Sequence, residues 1–255
     1  VGGAGDDTLA MGGGGIDNVD GGVGNDLITV SGLTEDDSIA GGDGVDTLVI
    51  GSAIAYDDEA TPDPIDDAKN ISGFEVLRST GTLTQDMAAL DGVVVLQSAS
   101  GVLTATEASA IGDFYALADN VGLDLTLATD GTSDSLNVHV GTDATQANAT
   151  GVTVDAIEIE TALIASQGAN GNTITDFEAD ALTALTVIGD KTLDVTLNDS
   201  AAVETIPLTS VDASAFTGAS LTVSAVEADS GVTVTTGSQA LSVTVGDGAN
   251  DITGT

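Results

Sequence analysis

Five nine-residue segments follow one another at the start of the chain and repeat one pattern. Four of them, at residues 2–10, 12–20, 21–29 and 41–49, match G-G-x-G-x-D-x-U-x throughout, where U is a large aliphatic residue. The fifth, at residues 32–40, keeps only the first glycine, the aspartate and the aliphatic residue. A flexible Gly-rich linker has no reason to keep an aliphatic residue two positions after each aspartate. The array therefore predicts an ordered structure that repeats with the sequence.

The spacing within each repeat indicates a turn followed by a short strand. Glycines permit positive φ, so the backbone can turn sharply and direct carbonyl oxygens inward, and the aspartate adds an anionic oxygen. Such a turn suits a hard cation such as Ca²⁺. The three residues after each aspartate, for example 8–10 and 27–29, predict a strand whose central aliphatic residue points to the interior. Because turn and strand alternate, we expect the chain to coil.

These repeats resemble the repeat-in-toxin family of calcium-binding β-rolls, in which each nonapeptide is half a coil and an ion lies between turns two repeats apart. The resemblance implies an all-β, right-handed parallel β-roll or β-solenoid that binds several Ca²⁺ ions. It implies three sites, which join Gly3, Gly5 and Asp7 to Gly21, Val23 and Asp26; Gly22, Gly24 and Asp26 to Gly41, Asp43 and Asp46; and, on the opposite edge, Gly13, Gly15 and Asp17 to Gly32, Thr34 and Asp37. The third set departs from the family pattern, because Glu35 replaces a glycine.

The balance of charge favours the same interpretation. The chain carries 41 acidic residues against three basic ones, Lys69, Arg78 and Lys191, and its formal net charge is −38. That charge repels polyanions and excludes the electrostatic footprint of a nucleic-acid-binding protein. With 42% hydrophobic residues, the chain is too apolar for a disordered polyanion. Divalent cations are the natural counter-charge, so folding is expected to depend on Ca²⁺.

Two further regions follow the predicted calcium β-roll of residues 1–50. Residues 51–120 are expected to form an irregular connection that begins with an acidic surface loop at 56–69. Two short helices are predicted on its flank, at 84–90 and at 108–118. The second helix follows a capping-box pattern formed by Thr104 and Glu107.

The last region, residues 121–255, alternates aliphatic residues with Thr or Ser, as at 193–197, 221–223 and 241–245. Alternation with period two predicts half-buried strands. Connections this short suit both the stacked coils of a β-solenoid and the antiparallel hairpins of a β-sandwich, and the period alone does not distinguish them. The passage from Gly-Asp turns into Thr/Val-rich strands resembles the calcium-dependent β-solenoids of bacterial surface-layer proteins, as does the segment 71–77.

The composition also bears on the compartment. The chain has no cysteine, so disulfides, thiolate metal sites and thiol catalysis are excluded. The absence of cysteine and the extreme acidity fit an extracellular or cell-surface protein exported by a Gram-negative cell, which we expect to use type I secretion. No apolar run is long enough to span a membrane, so no membrane insertion is expected. Because both ends lie within repeat-like sequence, we expect this chain to be a segment of a longer one.

Little in the sequence favours catalysis. His139 is the only histidine, and it lies in an alternating segment that predicts an outward-facing strand position. The zinc-protease pattern H-E-x-x-H and the hydrolase pattern G-x-S-x-G are absent. Acidic residues for a two-carboxylate glycosidase are plentiful, but aromatic residues make up 2% of the chain and leave few platforms for a sugar ring. We therefore expect that the protein is not an enzyme.

Two non-enzymatic functions remain for this chain. The first is a calcium-dependent, self-assembling subunit of a bacterial surface layer or extracellular filament, with copies of itself and a cell-surface polysaccharide as partners. The second is a spacer or ligand-binding segment of a large secreted adhesin of the repeat-in-toxin kind. A secreted, polysaccharide-active β-helix enzyme is the third alternative. Ordered ranks of T-x-T, which would indicate ice binding, are missing because Thr and Ser are scattered.

Overall fold

A computed structural model of the protein gives the positions of most of the chain. It describes residues 1–33, 36–54, 70–109, 111–141, 148–178, 180–198, 206–226, 228, 231–246 and 250–254. The acidic loop predicted at 56–69, with Lys69, lies outside the described residues, as do Thr34 and Glu35.

The chain folds as a parallel β-solenoid. Within the described residues, the even-numbered strands form one long sheet, in the order β2 (Thr8–Ala10), β4 (Leu27–Val30), β6 (Thr47–Ile50), β8 (Val76–Ser79), β10 (Val95–Ser98), β12 (Asp113–Ala116), β14 (Ser135–Val140), β16 (Thr161–Ser166), β18 (Ala184–Gly189), β20 (Ser210–Ala213), β22 (Thr233–Thr236) and β24 (Asp251–Gly254).

The odd-numbered strands form two sheets, one after the other along the solenoid. The amino-terminal sheet contains β1 (Gly3–Ala4), β3 (Asn18–Val23), β5 (Ser38–Asp43) and β7 (Ile71–Ser72). The carboxy-terminal sheet contains β9 (Leu83–Asp86), β11 (Val102–Ala108), β13 (Gly122–Leu127), β15 (Val152–Asp155), β17 (Asn172–Glu178), β19 (Leu193–Asn198), β21 (Ser220–Ala225) and β23 (Ala240–Val245). Consecutive strands thus alternate between opposite sides of the coil, and each turn adds one strand to each side.

A column of apolar side chains fills the space between the sheets. In the long sheet, Ile28, Leu48, Leu77, Leu96 and Phe114 stand in register on consecutive strands, and all five are fully buried. Their neighbours in sequence face outward, because side chains alternate along a strand. The aliphatic residue two positions after each repeat aspartate belongs to this column, so the repeat pattern sets both the turn and the core.

The carboxy-terminal region continues the same coil. Its strands pair in parallel with strands one turn away, as at Leu193↔Leu221 and Leu221↔Leu241. Antiparallel hairpins of a sandwich would instead pair strands that follow each other in sequence. The β-solenoid prediction is therefore confirmed for this region, and the β-sandwich alternative is wrong.

The predicted flanking helices are not formed. Residues 108–118 contain the end of β11 and strand β12, with Phe114 and Ala116 facing the core. In the other range, 84–90, β9 is followed by a single 3₁₀ turn, Met87–Ala89, capped by Asp86. Strand partners on both sides supply hydrogen bonds and burial that outweigh local helix propensity. Among the described residues, no helix is long and apolar enough to cross a membrane.

Candidate metal centre

The glycine–aspartate turns stack on two edges of the solenoid. On one edge, which we call the acidic edge, Asp7, Asp26 and Asp46 each stand directly before a strand of the long sheet. On the opposite edge, Asp17 and Asp37 stand directly before β3 and β5. The two halves of each predicted site therefore lie in neighbouring turns, 19 or 20 residues apart.

Carboxylates on the acidic edge form a hydrogen-bonded ladder with the backbone. Asp26 Oδ1 accepts the N–H of Asp7 at 2.8 Å, and Asp46 Oδ1 accepts the N–H of Asp26 at 2.7 Å. On the opposite edge, Asp37 Oδ1 accepts the N–H of Asp17 at 2.8 Å. One oxygen of each accepting carboxylate is thus held in place by the turn before it.

The second oxygen of three carboxylates on the acidic edge has no donor. Oδ2 of Asp7, Asp26 and Asp46 is buried and accepts no hydrogen bond. The side chains of Asp26 and Asp46 are almost completely enclosed, with 1% and 0% of their surface exposed. Burying an anionic oxygen without a partner is strongly unfavourable. In the part of the chain that the structure describes, the ion pairs are His139–Asp113 and Lys191–Asp190, and neither involves these aspartates.

A backbone carbonyl oxygen faces the same point as each unpaired carboxylate oxygen. A β-carbon placed on Gly2 would lie 2.5 Å from both Asp7 Oδ2 and the Gly21 carbonyl oxygen. At Gly21 the added atom would collide in the same way with Asp26 Oδ2 and the Gly41 carbonyl. Because Ca²⁺ binds oxygens at about 2.3–2.6 Å, each pair of oxygens is close enough for one ion to bridge. Glycine is required there because any side chain would fill the cradle.

The remaining predicted ligands of the first two sites line the same turns. Gly3 pairs with Gly22, and Val23 pairs with Asp43. The Val23 carbonyl accepts the N–H of Gly5 at 2.7 Å, and the Asp43 carbonyl accepts the N–H of Gly24 at 2.9 Å. A carbonyl has a second lone pair, so these hydrogen bonds leave capacity for a cation.

The opposite edge is built differently. A β-carbon on Gly13 would meet only the Ser31 carbonyl, at 3.8 Å, and one on Gly12 or Gly15 would meet no atom within 4 Å. A β-carbon on Gly32 would lie 3.2 Å from the α-carbon of Gly13 and would approach no oxygen. Thr34 lies outside the described residues. This edge brings Asp17 and Asp37 together, but its described glycines do not show the paired oxygens of the acidic edge.

Burial and neighbouring like charges both act on the carboxyl of Asp46 on the acidic edge. Burial raises the pKa of the Asp46 carboxyl, the hydrogen bond from the Asp26 backbone lowers it, and the charges of Asp26, Glu75 and Asp43 raise it further. The net effect is a raised pKa, so the ionised carboxyl is less stable here than it is in water. A bound divalent cation would reverse that balance.

Glu75 continues the ladder and was not among the predicted ligands. Its Oε2 accepts the N–H of Asp46 at 2.9 Å, as an aspartate does in the turns before it. Leu77 follows two positions later and stacks on Leu48. The acid-x-aliphatic spacing was therefore visible in the sequence, but the turn before Glu75 lacks the glycine pattern that marks the repeats.

Further along the chain, two other groups of acidic residues lie on the surface. Asp130, Asp134 and Glu160 have carboxylate oxygens within 4.8 Å of one another, and Glu160 Oε2 accepts the Asp134 N–H at 2.7 Å. On the carboxy-terminal sheet, Asp155 stands between Asp124 and Glu178 on the adjacent strands. Both groups are partly exposed, so water can solvate their charges.

His139 lies on the outer face of the long sheet, where the alternation predicted it. Its ring stacks on Tyr115 with centroids 4.2 Å apart, and its Nε2 is 2.8 Å from Asp113 Oδ1. The next outward residue, Asn137, also donates to Asp113 Oδ1, at 3.2 Å. The histidine is thus held by its neighbours on the strands, away from the glycine–aspartate turns.

Fold and site together define a parallel β-solenoid whose amino-terminal turns carry enclosed, unpaired carboxylate oxygens along one edge. Comparisons with protein-family models, with curated proteins and with solved structures find no match.

Proposed function

We propose that the protein is a calcium-dependent, extracellular structural β-solenoid that assembles with copies of itself into a bacterial surface layer or filament. The observation that carries the calcium assignment is the set of three buried carboxylate oxygens, on Asp7, Asp26 and Asp46, that have no hydrogen-bond donor. A cation at each would remove the cost of burying these charges, because metal coordination compensates a buried anion.

The chemistry of the donors favours Ca²⁺ over other metals. Carboxylate and carbonyl oxygens are hard ligands, and neither cysteine nor histidine lies in these turns. Mg²⁺ requires near-octahedral geometry and gives up its water reluctantly, whereas Ca²⁺ accepts irregular sets of protein oxygens. Turns made of backbone carbonyls and one carboxylate each are therefore best matched by Ca²⁺.

The charge and the expected affinity support an extracellular setting. A chain with a formal net charge of −38 needs an abundant counter-ion, and outside the cell Ca²⁺ is available at concentrations that fill weak sites. Ions between the acidic surfaces of neighbouring copies would also reduce their repulsion, which supports assembly in the presence of calcium.

One structural observation favours the spacer of a large adhesin as the second candidate. The strands of each turn pair with strands of the turns before and after it, as in other solenoids. Such a stack can be lengthened by adding turns, which suits a rod that separates two binding domains.

Calcium titration of EDTA-treated protein tests the proposal. We expect circular dichroism to show a gain of ordered β-structure when Ca²⁺ is added, and a smaller gain with Mg²⁺ at the same concentration. Electron micrographs of the calcium-loaded protein then separate the candidates, because sheets or fibres support the subunit and single folded rods support the spacer. Spectra and thermal unfolding that are indifferent to calcium would overturn both.

A further inference from the structure

We propose that the acidic edge holds one more Ca²⁺ ion than the repeats assign, between the turn that ends at Asp46 and the turn Gly73–Glu75. Its ligands would include Asp46 Oδ2, the Gly73 carbonyl oxygen and the Glu75 carboxylate. This site rests on the proposed calcium binding, and it uses a turn that lacks the glycine–aspartate repeat.

The first support is the unpaired oxygen of Asp46. Oδ2 of this residue is buried without a hydrogen-bond partner, and the side chain is 0% exposed. Asp46 Oδ1 is already used, because it accepts the N–H of Asp26. The free oxygen therefore needs a positive partner of its own.

The second support is the position of Gly73. A β-carbon on Gly41 would collide with the Gly73 carbonyl oxygen and would lie 2.7 Å from Asp46 Oδ2. The same relation joins Asp26 Oδ2 to the Gly41 carbonyl, and Asp7 Oδ2 to the Gly21 carbonyl. Strand β7 pairs with β5 through Ile39↔Ile71 and Ala40↔Ser72, which places Gly73 directly beside Gly41. Gly73 thus takes the place of the first glycine of a repeat.

The third support is the place of Glu75 in the ladder. Its Oε2 accepts the Asp46 N–H at 2.9 Å, and the Val76 N–H donates to the Asp46 carbonyl at 3.0 Å. In the turn before it, the Asp46 carboxylate accepts the Asp26 N–H, and the Thr47 N–H donates to the Asp26 carbonyl at 2.8 Å. The two turns therefore make the same pattern of backbone hydrogen bonds, although 29 residues separate Asp46 from Glu75 and 20 separate Asp26 from Asp46.

The site would join the last complete repeat to the first turn that follows the array. The carboxylates of Asp46 and Glu75 lie at this point, and neither forms an ion pair among the described residues. An ion at this point would tie the amino-terminal sheet to the strands that continue the solenoid.

Ion counting on the full chain tests the site. Glu75→Gln keeps an oxygen that can accept the Asp46 N–H and removes the charge. We expect calcium-saturated Glu75→Gln, measured by elemental analysis after gel filtration, to hold one ion per chain fewer than the unaltered protein. Glu107→Gln is the matched control, because Glu107 is exposed and lies outside the glycine–aspartate turns, and its ion count should not change.

The outcomes separate this site from the general proposal. If the unaltered protein binds calcium and Glu75→Gln binds the same number of ions, the additional site is overturned while the calcium function stands. If the unaltered protein binds no calcium, the proposed function falls and the site falls with it.

Crystals of the unaltered protein soaked in Tb³⁺ give a second readout that does not depend on the variant folding. An anomalous peak between Asp46 Oδ2 and the Gly73 carbonyl supports the site, and an empty position beside occupied repeat sites overturns it.

Discussion

Asp26 Oδ1 accepts the backbone N–H of Asp7 at 2.8 Å, while Oδ2 of the same carboxylate lies beside the Gly41 carbonyl oxygen with no donor. One oxygen thus supports the backbone and the other is free for a metal. The same division of roles holds at Asp46. Because of this division, the effect of a substitution at Asp26 or Asp46 depends on whether calcium is present.

Asp26→Asn should change stability in opposite directions with and without calcium. The amide keeps the acceptor for the Asp7 N–H, and its nitrogen can donate to the Gly41 carbonyl. Without calcium we expect the variant to be more stable by about 1–3 kcal/mol, because an unpaired buried anion is removed. With calcium it should be less stable than the unaltered protein, because two neighbouring sites lose a ligand.

Urea unfolding in EDTA and in saturating calcium measures both differences. Asp36→Asn removes the same charge at an exposed position in a neighbouring turn, and it should change stability little in either condition. A loss of stability for Asp26→Asn in EDTA would contradict the assignment of Oδ2 as an unpaired anion.

Gly21→Ala should block the cradle between Asp26 Oδ2 and the Gly41 carbonyl. The added methyl group collides with both oxygens, so we expect about 2 kcal/mol of destabilisation and a large loss of calcium affinity. Gly12→Ala is the matched control at the same repeat position of the opposite edge, where a β-carbon meets no atom within 4 Å. Calorimetric calcium titrations of the two variants compare them directly, and equal affinities would refute the cradle.

Asp155→Asn should raise stability at neutral pH. Burial, followed by the charges of Asp124, Asp180 and Asp176, raises the pKa of the Asp155 carboxyl. The folded state therefore holds that proton more tightly than the unfolded chain does. The stability that the protonated Asp155 carboxyl contributes is present at low pH and is lost as the pH rises through its folded-state pKa.

At pH 7 without calcium, removing the charge should stabilise the protein by about 0.5 kcal/mol, since like charges stand opposite one another on adjacent strands. The gain should vanish below about pH 3, where the carboxyl is protonated in both states. Asp194→Asn is the control, because Asp194 is exposed between Thr173 and Thr222 on the same sheet. Thermal unfolding across this pH range measures both variants, and a gain that persists at low pH would contradict the electrostatic cause.

Phe114→Ala should weaken the whole stack. Phe114 is fully buried between Leu96 and Val138 in the apolar column. Removing its ring leaves a cavity that the paired strands on both sides cannot close, so we expect the free energy of unfolding to fall by about 3–5 kcal/mol. Val94→Ala, at an exposed position, should cost far less. Denaturant midpoints of the two variants provide the measurement, and similar midpoints would argue against a continuous core.

Part of this architecture could be predicted from the sequence. The spacing of each repeat aspartate and its aliphatic residue predicts the turns that precede β2, β4 and β6, because that spacing is contained within one nine-residue repeat. The strands at 193–197 and 241–245 were also visible as alternation. Their partners were not, because parallel and antiparallel strands alternate alike and the pairing depends on contacts a full turn away.

The wrong helix prediction at 108–118 and the missed Glu75 also have causes in the local sequence. The alanine-rich range 108–118 and the capping-box pattern at Thr104 and Glu107 favour a helix in isolation, but in the fold Thr104 belongs to β11 and Glu107 adopts a positive φ of 53°. Burial of Phe114 between neighbouring strands decides the structure there. Glu75 was missed because its turn carries one glycine, whereas the four repeats that match the full pattern carry three or more.

The carboxylate ladder has a direction. Asp26 completes the turn that holds Asp7, Asp46 completes that of Asp26, and Glu75 completes that of Asp46, so every rung depends on a residue further along the chain. Truncations at the two ends of the array should therefore differ. Loss of the turn at Glu75 leaves the Asp46 N–H without its acceptor, whereas loss of the first repeat leaves the remaining N–H groups of the ladder paired.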